Sequence, residues 1–256
     1  MFNLTAILSG SIVGLILGIV GGGGSIIAVP LLLYIVGIPS AHAAIGTSAV
    51  AVAVSAFANL LTKLRQGLVK WPCVLVFSAA GLVGNFAGSS LALKIDGQDL
   101  LVAFGILMVV VGMVMLLRRD SEGDPDVKLT FKTASHMLPW LLTVGLAVGA
   151  LSGFFGIGGG FLIVPGLMLA TGMPITNAIA TSLVAITIFG AATSANYAWS
   201  GLVEWNIATN FISGGIVGGI VGTLLQSHLV DKKGLLNSIF ACFVIAIGCF
   251  VIFKGV

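Results

Sequence analysis

Residues 21–30 read GGGGSIIAVP, and residues 156–165 read GIGGGFLIVP. Each copy runs into a Gly-x-Pro step, Gly37-Ile38-Pro39 and Gly172-Met173-Pro174, and then into a Thr-Ser pair, Thr47-Ser48 and Thr181-Ser182. Further along, GLVKW (67–71) answers GLVEW (201–205), and Gly81, Gly84 and Gly88 answer Gly215, Gly218 and Gly222. With one gap before the Thr-Ser pair, the register holds over most of each half. A hydrophobic chain built from two related halves, each with a glycine-interrupted apolar segment at the same place, has the sequence pattern of a transporter. Such a protein binds its cargo where the paired broken segments meet near mid-membrane.

The composition agrees. Apolar residues make up 58% of the 256, charged residues only 7%, and the mean hydropathy is +1.19. Soluble domains carry about 25% charged residues, so this chain cannot cover itself with polar surface, and it reads as an all-α polytopic membrane protein. At about 20 residues per span its length allows roughly eight to ten segments. Five are expected in each half: 4–20, 25–36, 42–62, 71–93 and 99–117, then 137–155, 160–171, 175–198, 205–228 and 235–253. The organisation is an N-terminal repeat at 1–117, a polar linker at 118–135 (RRDSEGDPDVKLTFKTAS) and a C-terminal repeat at 136–256. Residues 4–20 follow no basic stretch and lead into a glycine run that recurs, so they read as a retained span rather than a cleaved signal.

The segments starting at Ser25 and Gly160 have about 12 residues each, or about 18 Å of helix against roughly 30 Å of hydrocarbon. They are therefore expected to be half-helices joined by non-helical backbone. Such backbone survives at depth only where protein covers it or where it lines a polar cavity. A half-helix N-terminus offers unpaired N–H groups and about half a positive charge, and glycine lets those amides approach a ligand closely. Two such ends would hold an anion without a buried cation, and no lysine or arginine falls inside an expected span. The site residues expected from this reading are Gly22, Gly23, Gly24, Ser25, Thr47 and Ser48 in the first half. Gly158, Gly159, Gly160, Thr181 and Ser182 are their partners in the second. The plainer role for the hydroxyls is bonding back to their own helix or across to a neighbour. Asn59, Asn85, Asn177 and Asn196 are further amide candidates. The glycines at 84/88 and 214/218/222 read as close helix packing instead.

Lysine and arginine counts set the orientation. Lys63, Arg65 and Lys70 flank one loop, whereas its counterpart at 197–204 carries only Glu204. Lys94 is offset by Asp96 and Asp99, whereas Lys232 and Lys233 face a single Asp231. The bias changes sides between the halves, which implies an odd number of crossings per half and inverted-topology repeats. The linker then lies in the cytoplasm and both termini outside. Lys63 and Arg65 read as inner-surface anchors, and Trp71, Trp140, Trp199 and Trp205 as interfacial ones.

These motifs, taken together over nearly the whole chain apart from the linker, resemble the TauE/SafE family of membrane permeases, often described as sulfite exporters. The resemblance implies a bacterial or archaeal inner-membrane permease for a small sulfur-containing anion such as sulfite or an organosulfonate. The expected partners are that anion and the lipid bilayer, with self-association left open. Net charge of +3, dispersed, points away from nucleic acid. No cofactor or metal is expected: Cys73, Cys242 and Cys249 have no metal spacing and read as packing residues, and the three histidines are scattered. No catalytic cluster is present, and the glycine runs lack the Lys-Ser/Thr of a phosphate loop, so an enzyme is not expected. No carboxylate sits inside a span to couple an ion, although His42, close after Pro39, could titrate. Coupling is not required for export. A negative interior gives each exiting charge about 2.3 kcal/mol per 100 mV, which sustains roughly a 50-fold gradient.

Overall fold

The structure, a computed structural model, describes residues 3–20, 22–64, 67–117, 131–156, 160–228 and 233–255. It is helical, with no strand among the described residues. Among the described residues ten helices follow in chain order: α1 (Leu4–Val20), α2 (Ser25–Pro30), α3 (Ala41–Leu64), α4 (Trp71–Ala92), α5 (Gly97–Leu117), α6 (Phe131–Phe155), α7 (Gly160–Thr171), α8 (Ile175–Trp199), α9 (Trp205–His228) and α10 (Lys233–Gly255). A 3-10 turn, Gly22–Gly24, leads into α2, and a π-helical stretch, Leu31–Val36, continues from it. Among the described residues six helices are long and apolar enough to cross a membrane, and the chain is a multi-pass membrane protein.

Both short segments are present as expected. Pro30 cannot donate a hydrogen bond to the carbonyl four residues back, and just beyond it the helix widens into the π stretch. Gly37 (φ 84°) and Gly172 (φ 73°) end the two segments in the left-handed conformation that a side chain disfavours. Gly67 and Gly201, which open the two GLV steps, share that conformation at 65° and 70°, so the repeat extends to the backbone. One boundary differs by more than two residues. α6 starts at Phe131, inside the stretch read as linker, because the polar run before Met137 is helical although it is not apolar.

α3 and α8 form the middle of the bundle. Their spans are 72% and 67% buried, against 33–44% for α4, α5, α6 and α9. Contacts at glycine reveal how the helices run. Gly10, Gly14 and Gly18 of α1 lie on Phe211, Gly215 and Gly219 of α9, so those helices are parallel. Gly145, Gly149 and Gly153 of α6 lie on Phe77, Gly81 and Asn85 of α4, again in parallel. By contrast, Gly46 of α3 meets Tyr197 of α8 while Ala49 and Ala53 meet Gly190, so α3 and α8 are antiparallel. Gly105 meets Ile252 and Gly112 meets Ile245, so α5 and α10 are antiparallel as well. Exchanging the two halves maps this arrangement onto itself: α1–α9 becomes α6–α4, while α3–α8 and α5–α10 map onto themselves. The glycines read as packing residues behave so, because a Cβ at Gly84, Gly88, Gly214, Gly218 or Gly222 would overlap the facing helix backbone. Of the cysteines, Cys73 is buried in α4, but Cys242 and Cys249 are exposed on α10 and pack against little.

Candidate functional site

The glycine turn Gly22–Gly24 packs against α1 and also touches α7 and α8 of the other half. Gly24 lies so close to α1 that a Cβ would clash with the Val13 carbonyl and the Leu17 amide, 2.5 and 2.6 Å away. Every residue of Ser25–Pro30 is buried, so this helix start lies within protein rather than in lipid. In the second half, Gly160 is buried at the first turn of α7. Gly158 and Gly159 lie outside the described residues. Gly156 turns left-handed (φ 62°) against Ile45 of α3.

Ser25, Thr47, Ser48, Thr181 and Ser182 are all 0% exposed. The Ser48 hydroxyl donates to the Ile45 carbonyl at 2.9 Å, with a longer contact of 3.4 Å to the Gly156 carbonyl, so α3 meets the glycine run of the other half. Ser182 donates to the Ile179 carbonyl at 2.8 Å. Both serines therefore bond back one turn.

The threonines reach across the halves. Thr47 Oγ1 accepts the Glu204 amide at 3.0 Å, just ahead of α9. Thr181 Oγ1 accepts the Lys70 amide at 3.0 Å, just ahead of α4. Those amides belong to the unpaired group at a helix start, and each is capped by the opposite repeat. Asn177 adds a second hold on the first loop, donating to the Leu68 carbonyl at 2.9 Å. Each threonine retains its own O–H to donate.

Two features escaped the sequence reading, the burial of Lys63 and an open cavity, whereas Asn59 and Asn85 are among its amide candidates. Lys63, expected at the surface, is 7% exposed on the inner face of α3. One turn earlier is Asn59, 2% exposed; its Oδ1 accepts the Thr223 hydroxyl at 3.5 Å, while its amide nitrogen has no hydrogen-bond partner among the described residues. Spacing carried the signal, since Ser55, Asn59 and Lys63 recur every fourth residue on one helical face. At the equivalent place in the other half, Asn85 Oδ1 accepts the Thr193 hydroxyl at 3.0 Å, and the Asn85 amide nitrogen and the Tyr197 hydroxyl are likewise buried and unpartnered. Asn196 is engaged elsewhere, donating to Ser89 Oγ at 2.8 Å.

The second is an open cavity of about 650 Å3 where the chain leaves the first half-helix. Tyr34, Gly37 and His42 line one side, Asp96 and Gln98 another, and Lys254 a third. The Lys254 ammonium lies 5.9 Å from the centre of the Tyr34 ring, within cation–π range. His42 Nε2 is 3.2 Å from the Ala92 carbonyl, and its ring stacks on Tyr197 with centroids 6.5 Å apart. The cavity thus forms a vestibule at the N-terminal end of α3, and His42 on its wall stacks against the buried Tyr197.

The chain matches the family described as "Sulfite exporter TauE/SafE" over residues 6–251. It is 50% identical over 247 residues to a "Probable membrane transporter protein" of Xylella fastidiosa, covering 96% of this chain and 94% of that protein. It is also 26% identical over 264 residues to the "Probable membrane transporter protein YunE" of Bacillus subtilis, covering 96% of each. No solved structure matches it.

Proposed function

From the premise that the chain belongs to the TauE/SafE family and is a membrane transporter, we propose that its cargo is a small oxyanion, sulfite or an organosulfonate, moved outward. The observation that carries this reading is the pair of glycine-led half-helices, whose starts are buried in protein beside hydroxyls. Amides and hydroxyls suit an anion, which only accepts hydrogen bonds. The binding residues are the backbone of Gly22–Gly24 and Gly158–Gly160 together with Ser25, the Thr47-Ser48 pair and the Thr181-Ser182 pair. A site without a permanent charge at its centre holds its cargo loosely enough to release it.

The antiparallel course of equivalent helices, α3 with α8 and α5 with α10, supports inverted-topology halves related by a two-fold axis in the membrane plane. In that frame the vestibule at His42 and Lys254 opens outside and the C-terminal end of α3 faces the cytoplasm. The hydroxyls between them are closed to solvent, so passage requires the bundle to open at each end in turn.

Flux of labelled sulfite and methanesulfonate from proteoliposomes, with and without an imposed potential, tests the reading. Efflux should accelerate with a negative interior, and Gly23→Val should abolish it while the protein still inserts and elutes as wild type. Efflux that ignores the potential, or a Gly23→Val protein with full flux, would reject it.

A further inference from the structure

We propose that the vestibule is itself a binding station for the transported anion, and that a proton on the His42 imidazole switches it on. The inference rests on the anion-transport reading above and extends it from the buried turns to the mouth of the bundle. The cavity supplies the space, about 650 Å3. The Lys254 ammonium, the Gln98 amide and the hydroxyls of Ser40 and Tyr34 belong to its lining, and all of them can donate. Lys254 lies over the Tyr34 and Phe250 rings, 5.9 and 6.0 Å from their centres, and has no ion pair among the described residues. Its charge therefore remains to be met by a ligand.

His42 is the part that changes. Its Nε2 is 3.2 Å from the Ala92 carbonyl, which only accepts, so Nε2 carries a proton. In the neutral ring Nδ1 is then the acceptor. It faces Gly97, where a Cβ would fall 3.5 Å from it. The glycine has no side chain to cover Nδ1, and both residues line the cavity. A neutral His42 thus turns a lone pair toward an oxyanion and repels it, whereas a protonated one offers an N–H and a positive charge.

The other charges decide the balance. Lys254 contributes one positive charge to the lining and Asp96, just ahead of α5, one negative, so the two cancel. The remaining titratable neighbours of His42 are phenols: Tyr34 across the cavity and Tyr197 of α8, stacked on the imidazole. Lys94, Asp99 and Glu204 are exposed and lie outside the lining. A proton on His42 therefore takes the cavity from net zero to net positive, and histidine is the side chain that ordinarily makes this change between about pH 5 and 8. Linkage makes the effect mutual: the anion holds the proton and the proton holds the anion.

The test is equilibrium exchange of labelled methanesulfonate by proteoliposomes of the intact protein, at equal pH inside and out. A sulfonate stays monovalent throughout, so a pH effect belongs to the protein. From about pH 5.5 to about pH 7.5 the half-saturating concentration should rise about three- to tenfold, between the worth of an exposed ion pair and that of a charge-assisted hydrogen bond. His42→Gln, whose amide can still donate to the Ala92 carbonyl, should keep the high value at every pH. Lys254→Met should raise the value at both ends and leave the pH dependence in place. Asp96→Asn keeps the oxygen that accepts the Gln98 amide at 3.1 Å and removes the opposing charge, so it should lower the value at the alkaline end toward that at the acid end. A merely damaged protein does not bind more tightly, and this arm stands alone if His42→Gln does not fold. If wild type exchanges neither methanesulfonate nor sulfite, the anion reading falls and the station with it. Where it exchanges sulfite alone, Asp96→Asn and Lys254→Met compared at one pH with sulfite decide in the same way. Half-saturation by methanesulfonate that ignores pH in wild type, or a folded Asp96→Asn protein that binds no more tightly than wild type, refutes the station alone.

Discussion

Replacing Thr181 by valine removes one oxygen and almost no volume, so its cost isolates the bond that ties the halves together. The Lys70 amide, 3.0 Å from that oxygen, precedes the first turn of α4 and has no carbonyl of its own helix to use. Loss of the acceptor strands a partly buried donor, at about 1–3 kcal/mol. The mirror change, Thr47→Val, strands the Glu204 amide. Glu204 is exposed where Lys70 is half-buried, so water reaches the second amide more easily and the cost should fall near the low end of that range. Asn177 holds Leu68 of the first loop, and nothing comparable is present at Ala43, its equivalent in the first half. Thr181→Val should therefore be the more damaging change, and a protein of this size loses about 2–4 °C per kcal/mol. Thermal unfolding in detergent should show a fall of about 2–12 °C for Thr181→Val and less for Thr47→Val. Thr181→Ser keeps the oxygen and loses one methyl group, worth about 0.8 kcal/mol, and should stay within about 3 °C of wild type. Equal losses for the serine and valine variants would show that the methyl group carries the contact and that the reciprocal caps are incidental.

Gly149→Leu drives a side chain into the Gly81 backbone of α4; neither helix can yield without separating the pair, so overpacking of about 1–3 kcal/mol or more is expected and should appear as lost monodispersity and a lower melting temperature. Gly172→Ala meets no atom within 4 Å but forces a methyl-bearing residue to φ 73°, costing about 1 kcal/mol through the backbone alone; a melting temperature equal to wild type would show that the turn relaxes freely.

The order and extent of the helices were legible because two signals coincide in this chain: long apolar runs and glycine or proline between them. Ser25–Val36 and Gly160–Thr171 fall where Gly-x-Pro and the glycine runs bracket them. Where only one signal operates, the reading slips. The helix that starts at Phe131 begins in polar sequence, and hydropathy reports what lipid can cover, not where hydrogen bonding starts. Lys63 slipped for a related reason. Near a span end a lysine is expected to reach water, and only packing reveals that this one faces inward, although the fourfold spacing with Ser55 and Asn59 was available. The vestibule could not be read at all, since Tyr34, Asp96 and Lys254 converge from three distant parts of the chain. Likewise, the threonines were visible as a repeated pair, but their partners at Lys70 and Glu204 lie in the opposite half.

That crossing of halves bears on how the protein can move. α1 does not pack on α4 of its own half but on α9, and α6 packs on α4. Along both pairs, glycines bring backbone against backbone, where packing is least able to deform. Each pair joins one helix from either repeat, and the threonine caps bind the first residues of α4 and α9 to the central α8 and α3 in the same reciprocal way. The repeats are therefore interlocked, and sliding one entire repeat against the other would break both glycine seams at once. The short elements are different. The half-helix from Ser25 is already widened after Pro30 and ends at a left-handed glycine with open space around it, and the vestibule lies against that end. A displacement of the far end of that half-helix within a fixed frame of paired long helices would disturb neither glycine seam, while Gly24 holds its start against α1.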